Sequence, residues 1–243
     1  MRIIELEEVD STNSYVERNA RTLSHGDTVT AHTQSAGRGQ RGNSWESAPS
    51  ANITFTMLLK PDIEASKQFF ISEAFSLCVC RVLKDICGVD CKVKWPNDIY
   101  VGDSKICGIL ISHSLQGRKI NHTVAGAGIN INQEEFVSDA PNPISVRQIT
   151  GRRFDLMRIL TPLASDIEES VAKLGDEAYR SSLHESYMAR LWRGDGKEYL
   201  FRDCATGEEF RASIHSVEPS GHLVLSDADG TLRRFAFKEV AWL

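Results

Sequence analysis

An apolar-rich stretch at residues 2–9 ends in four consecutive polar residues, Asp10-Ser11-Thr12-Asn13. Side chains of these types cap helix N-termini, so the pattern predicts a strand followed by a helix to about residue 21. Residues 27–33 read as a second strand, and residues 53–59 alternate as a third. Between them, 34–50 is a long loop bearing glycines and arginines, and a loop of that length in a compact domain calls for a function. Residues 66–86 are apolar on nearly every side, through Phe69, Phe70, Ala74, Leu77, Val82 and Ile86, which predicts a helix buried against a sheet. Residues 92–95, 99–101, 106–112 and 120–131 then read as strands of an antiparallel meander, joined by turn-like stretches such as Gln116-Gly117-Arg118.

Helical spacing returns at Leu156, Ile159, Leu160, Leu163, Ile167, Val171 and Leu174, with a kink expected at Pro162 and a further helix to about residue 190. The texture then changes to short strands at 198–202, 209–217, 222–225 and 232–237, separated by glycine turns. The predicted fold class is α+β: a mixed or antiparallel sheet with packed helices over 1–190, and a small all-β barrel over 191–243.

Composition changes this picture little. With 243 residues, 41% apolar and 25% charged, the chain reads as folded, one large domain or a large one with a small one. It has no apolar run near the 18 or so residues that cross a bilayer and no basic-then-apolar start, so a cytoplasmic protein without a membrane partner is expected. The net charge of −5 speaks against a nucleic-acid partner. Six cysteines are few for the length, and Cys78 and Cys80 fall two apart on a predicted helix, where they point to different sides. Reduced core thiols are expected, and no zinc.

Four segments invite chemistry. Gly37-Arg38-Gly39-Gln40-Arg41-Gly42 matches G-x-G-x-x-G, but a dinucleotide fold needs a helix directly after it, and here the chain leads into another strand. What remains is a solvated turn or a ligand loop, in which glycines allow close approach and arginines offer forked donors to carboxylate or phosphate. Lys94-Trp95-Pro96-Asn97-Asp98 delivers a cation from a strand, ends pairing at proline, and presents an amide and a carboxylate that suit magnesium beside phosphates. Lys105 is either a solvated strand-edge lysine or a third cation, followed by Gly108. Gly126-Ala127-Gly128-Ile129-Asn130 adds another strand open to close approach.

In order and spacing, Ser11-Thr12-Asn13, Gln34 through Trp45, KWPND at 94–98, KICGIL at 105–110 and GAGIN at 126–130 resemble the biotin–protein ligases. The resemblance covers the whole chain, the last fifty or so residues looking like that family's SH3-like C-terminal domain and the rest like its class II synthetase-like fold. With Met1 nine residues before Asp10, the form without a DNA-binding domain is expected.

The resemblance implies that biotin and Mg·ATP yield biotinyl-5′-AMP and pyrophosphate, after which biotin passes to a lysine of a biotin carboxyl carrier protein. Ser11, Thr12, Asn13 and Gln34 would hold biotin with Gly37, Gly108, Gly126 and Gly128, and Arg38 and Lys105 its carboxylate. Arg38, Gly39, Gln40, Arg41, Trp45, Asn97 and Asn130 would hold ATP and the adenylate, with Trp45 against the adenine. Lys105, Arg38, Lys94 and Asp98 would be catalytic, Asp98 also serving as magnesium ligand and as interim partner of the acceptor lysine's proton. The 37–45 loop would close over the adenylate to keep it from water. Gln40 departs from the family pattern, where many members carry arginine. Lipoate–protein ligases share the fold and the two-step logic, but the motifs favour biotin. A homodimer is compatible with these features.

Overall fold

The structure, a computed structural model, describes residues 1–138 and 142–243, and the backbone alone of Arg41. Seven strands, β1 (Ile3–Val9), β2 (Thr28–Gln34), β3 (Ile53–Leu59), β4 (Lys92–Lys94), β5 (Asp98–Val101), β6 (Ser104–Gln116) and β7 (Lys119–Ile129), form one sheet in the order β1-β2-β3-β7-β6-β5-β4. β1 and β2 are parallel, joined across helix α1 (Thr12–Asn19), and every other pairing is antiparallel, so the sheet is mixed. β4 to β7 form the predicted meander.

The alternation at 53–59 is present, but neither face of β3 reaches water. Ile53, Phe55, Met57 and Leu59 join the main core with helices α2 (Phe69–Cys87), α4 (Leu156–Ala172) and α5 (Glu177–Ala189), whereas Leu58 packs with Val16, Leu23, Val29 and Val124 in a second cluster involving α1. Phe55 and Phe75 stack at 5.7 Å, and burying each such ring contributes roughly 1.5–3 kcal/mol. Gly88, left-handed at φ 73°, ends α2, and α4 runs uninterrupted through the proline expected to kink it, Pro162. Cys78, Cys80, Cys87, Cys91 and Cys107 are buried free thiols, and Cys204 is exposed.

A second, antiparallel sheet takes β8 (Tyr199–Asp203), β9 (Glu209–Val217), β10 (Leu223–Asp227), β11 (Leu232–Phe235) and β12 (Val240–Trp242) in the order β11-β10-β9-β8-β12. β12 and the short helix α3 (Val146–Thr150) have no counterpart in the sequence pattern, being three and five residues long. The Trp95 indole N–H donates to the Gly221 carbonyl at 3.0 Å, and Phe69 N–H to that of Pro219 at 3.2 Å, which seats this sheet against the KWPND end of the first. No helix among the described residues is long and apolar enough to cross a membrane.

Glu73 of α2 is fully buried, and its Oε1 lies 2.9 Å from His184 Nδ1 of α5. Burial raises the Glu73 carboxyl despite the opposing pull of His184, and the hydrogen bond with Glu73 raises the imidazole despite its own burial. The native state thus holds both protons more tightly than the unfolded chain does, so their contribution to stability is full below the unfolded pKa values, about 4.3 and 6.5, and is lost as pH rises through the folded ones. Between pH 8 and pH 5 the urea midpoint of the parent chain should shift upward relative to that of His184→Gln, while His113, whose burial lowers its pKa to about 4, acts in the opposite direction equally in both. A shift in His184→Gln equal to that of the parent chain would exclude this pair as its source.

Candidate active site

Strand register builds the floor of a cleft of about 820 Å³. Thr54 of β3 pairs with Gly128 of β7, Gly128 with Gly108 of β6, Gly108 with Asp98 of β5, and Asp98 with Lys94 of β4. Five strands thereby contribute one row, with two adjacent glycines at its centre and a carboxylate and an ammonium at one end. The Trp45 side chain lies on the glycine pair: a Cβ on Gly128 would fall on its indole, and one on Gly108 would come within 3.0 Å of Cζ3. These glycines leave room for an aromatic ring against the sheet.

Beside that row, β3 and β7 meet the start of α1. A Cβ on Gly126 would fall on the Asn13 carboxamide oxygen. Thr56 Oγ1 lies 2.9 Å from Thr12 Oγ1 and 2.7 Å from Asn13 Oδ1, while Asn13 Nδ2 donates weakly to the Leu110 carbonyl at 3.4 Å. Ser11 occupies the N-cap position, yet its side chain accepts no helix N–H. The Gln34 carboxamide oxygen instead accepts from Thr12 N–H at 2.8 Å and lies 3.2 Å from Thr12 Oγ1. The Ser11 hydroxyl is thereby not spent on the helix and lines the cleft.

The 37–46 loop passes over this floor. It enters a single short turn at Gln40–Gly42 and returns towards β3, with Trp45 N–H donating to the Gly37 carbonyl at 3.0 Å. Gly37 is not among the lining residues; its role is packing, since a Cβ there would lie 2.5 Å from the Trp45 carbonyl oxygen. Gly39 and Gln40 line the cleft, and the side chain of Arg41 lies outside the described residues. Arg38 reaches back to α1, where Nη1 meets Glu17 Oε2 at 3.0 Å and Ser14 Oγ at 3.2 Å, both half-exposed surface contacts that a ligand carboxylate can outcompete.

At the other end, Lys105 Nζ lies 2.8 Å from Asp98 Oδ1 and 5.7 Å from the Trp45 ring centre. An ammonium has three donors, so one bond to Asp98 orients Lys105 without exhausting it. Lys94 Nζ sits 4.6 Å from the ring centres of both Tyr100 and Trp192 and 3.2 Å from the Tyr100 hydroxyl. Burial lowers its pKa; Asp98 opposes that shift, and the cations Arg193 and Lys105 reinforce it. Asn97 is held in the structure itself, its Nδ2 donating to the Ile109 carbonyl at 2.6 Å. Asn130 donates through Nδ2 to the Ile144 carbonyl at 3.1 Å, while its Oδ1 is buried without a partner among the described residues. Gln40 Oε1 and the Trp45 indole nitrogen are also buried and unpartnered there. Buried polar atoms are expensive to leave unmade, so two acceptors and one donor around one cleft mark a ligand site.

Of the described side chains given a site role from the sequence, all but Gly37 line this cleft. Others were not foreseen. Phe237, Lys238, Val240 and Trp242 bring the second sheet into the wall, and Glu46, Phe136 and Ser138 close another side. Sequence offered one signal for the first group, the aromatic and basic residues near the C-terminus, and none for the second. Among the described lining residues the carboxylates are Glu46 and Asp98, and no group of three or more His, Cys, Asp or Glu among the described residues is arranged to hold a metal.

The glycine-floored cleft of this mixed sheet gathers cations and unpartnered side-chain amide oxygens, a surface suited to an anionic ligand. The model of the Biotin/lipoate A/B protein ligase family matches residues 5–130, and the chain belongs to that family. It is 29% identical to the biotin–[acetyl-CoA-carboxylase] ligase of Paracoccus denitrificans, over 93% of this chain and 94% of that one. It is 33% identical to the bifunctional ligase/repressor of Salmonella typhimurium, over 55% of this chain but only 42% of that protein. The fold matches the biotin protein ligase from Aquifex aeolicus in complex with biotin and ATP, with a TM-score of 0.80, 22% identity, and 99% and 97% of the two chains covered.

Proposed function

We propose that this chain is an ATP-dependent biotin–protein ligase that forms biotinyl-5′-AMP and pyrophosphate and then transfers biotin to a lysine of a biotin carboxyl carrier protein. The observation that carries this reading is the row Thr54–Gly128–Gly108–Asp98–Lys94, with Trp45 on its glycines and Lys105 on its carboxylate. The name of the Paracoccus relative supports the same substrate and acceptor class.

Biotin enters beside the contact of Asn13 with Gly126, where the Ser11, Thr12, Asn13 and Gln34 side chains supply donors and acceptors for a ureido ring. Its carboxylate reaches Lys105 and Arg38, which offset the repulsion between two anions as a carboxylate oxygen approaches the α-phosphorus and pyrophosphate departs. The adenine and ribose lie towards Trp45, Gln40 and Asn130, whose unpaired buried atoms gain partners. A magnesium ion carried on the ATP phosphates would need one or two carboxylates from the protein and would supply charge to the departing pyrophosphate. Asp98 fits that carboxylate, although its bond to Lys105 favours a role in orienting the lysine. In the second step an acceptor amine attacks the acyl carbon, AMP leaves, and Asp98 takes the amine proton.

Biotin-dependent ATP–pyrophosphate exchange tests the proposal, and the same assay with lipoate separates the two branches of the family. Exchange with lipoate and none with biotin would reverse the substrate assignment. Trp45→Ala should raise the KM for ATP about tenfold or more while that for biotin moves less, because a base-stacking ring contributes roughly 1–3 kcal/mol. Equal effects on both substrates would remove Trp45 from the adenine.

A further inference from the structure

One carboxylate in the wall of the cleft is occupied entirely by the protein. Glu46 follows Trp45 directly, and its Oε1 accepts from Val137 N–H at 3.0 Å and from Gln133 Nε2 at 2.9 Å, while its Oε2 accepts from Ser138 N–H at 2.8 Å and lies 3.3 Å from Val137 N. Burial alone would raise this carboxyl, but the Ser138 hydroxyl, the two amides and Gln133 hold it below the usual carboxylate range. Gln133 is itself fixed: its Oε1 accepts from Asn52 Nδ2 at 2.6 Å and from Ala48 N–H at 3.0 Å, and Asn52 Oδ1 accepts from Ile131 N–H at 2.9 Å. Glu46 is thus anchored to buried groups just before β3 and just after β7. Phe136 and Ser138 face the cleft on one side of this tie and Trp45 on the other, while the Val137 side chain is 89% exposed and contributes only its backbone.

We propose that Glu46 is a positioning residue that ties the wall carrying Trp45 to the 133–138 segment, so that the two walls retain a bound adenylate as one unit. Donors face both oxygens of this carboxylate, so both positions need an acceptor, and negative charge strengthens each bond. Glutamine has the shape of glutamate but puts an NH2 group where one oxygen stood, facing either the Ser138 N–H or the Gln133 Nε2 with its share of the Val137 N–H, so it cannot keep all of these contacts. Aspartate keeps the acceptors on a shorter arm.

The retention part of this inference rests on the ligase reading, and the tie itself does not, so the test has two arms on the full chain. In the ligand-free protein, NMR amide exchange at Val137 and Ser138 should quicken on the order of tenfold or more in Glu46→Gln, less in Ser138→Ala, and be partly restored in Glu46→Asp. Unchanged exchange in Glu46→Gln would overturn the tie. In the second arm, stopped-flow release of preformed biotinyl-adenylate should quicken on the order of tenfold in Glu46→Gln, with the KM for ATP rising and the rate of adenylate formation at saturating substrates little changed. Faster amide exchange with unaltered release would reduce Glu46 to a structural bond and overturn its positioning role. A parent chain that forms no adenylate refutes the ligase reading and with it retention, while the first arm still decides the tie.

Discussion

Replacing Lys105 with alanine is expected to lower biotin-dependent pyrophosphate exchange by about 10²–10³-fold, the loss typical when one preorganised donor to a developing charge is removed. Lys105 is the cation bonded to the Asp98 carboxylate at 2.8 Å, and its side chain crosses the Gly108 position towards the Trp45 ring. Its removal acts twice: the ligand carboxylate loses a donor, and Asp98 loses its bonded cation, keeping only the charge of Lys94 opposite it, beside two anionic substrates. The double variant Lys105→Ala/Asp98→Asn separates the two effects. Recovery of more than about tenfold in the double variant would assign much of the loss to the exposed Asp98 charge, in line with coupling within an ion pair. Near-parental exchange in Lys105→Ala alone would sink its assignment to the reacting carboxylate.

Gly126→Ala is expected to weaken biotin binding on the order of tenfold to a hundredfold, while leaving the fold intact. A methyl group at this position lands on the Asn13 carboxamide oxygen and comes 2.7 Å from Thr56 Oγ1. Asn13 has little freedom to yield, since its Oδ1 is bonded by Thr56 and its Nδ2 faces the Leu110 carbonyl. Overfilling a packed site costs about 1–3 kcal/mol, and here the displaced groups are those assigned to the ureido ring. Strand propensity moves the other way, because alanine suits a strand no worse than glycine. Calorimetric titration with biotin and a thermal melt of the same sample measure both sides. Gly128→Ala serves as the contrast: its methyl group strikes the Trp45 indole instead, so ATP binding should suffer more than biotin binding. Parental biotin affinity in Gly126→Ala would exclude Asn13 from the biotin pocket.

Order that is local in the chain can be read from the residues alone. Runs of apolar residues, cap residues and turns place the helices and most strands, and the cations, amides and glycines of the site are contiguous in Gly37–Gly42, Lys94–Asp98, Lys105–Gly108 and Gly126–Asn130. Each of those segments is short enough for its own chemistry to be read without knowing its neighbours. Helix α3 and strand β12 escape that reading because a few residues carry no period. Which residues face one another follows from strand pairing and packing between distant segments. The row from Thr54 to Lys94 depends on the register of four strand pairings, and a slip of one residue in any of them would turn its side chains to the other face of the sheet. Burial of both faces of β3, the entry of Phe237 and Trp242 into the cleft wall, and the bond between Glu46 and the amide of Ser138, 92 positions away, have the same origin. They are contacts between segments whose own patterns are complete without them, so nothing in either segment announces the other.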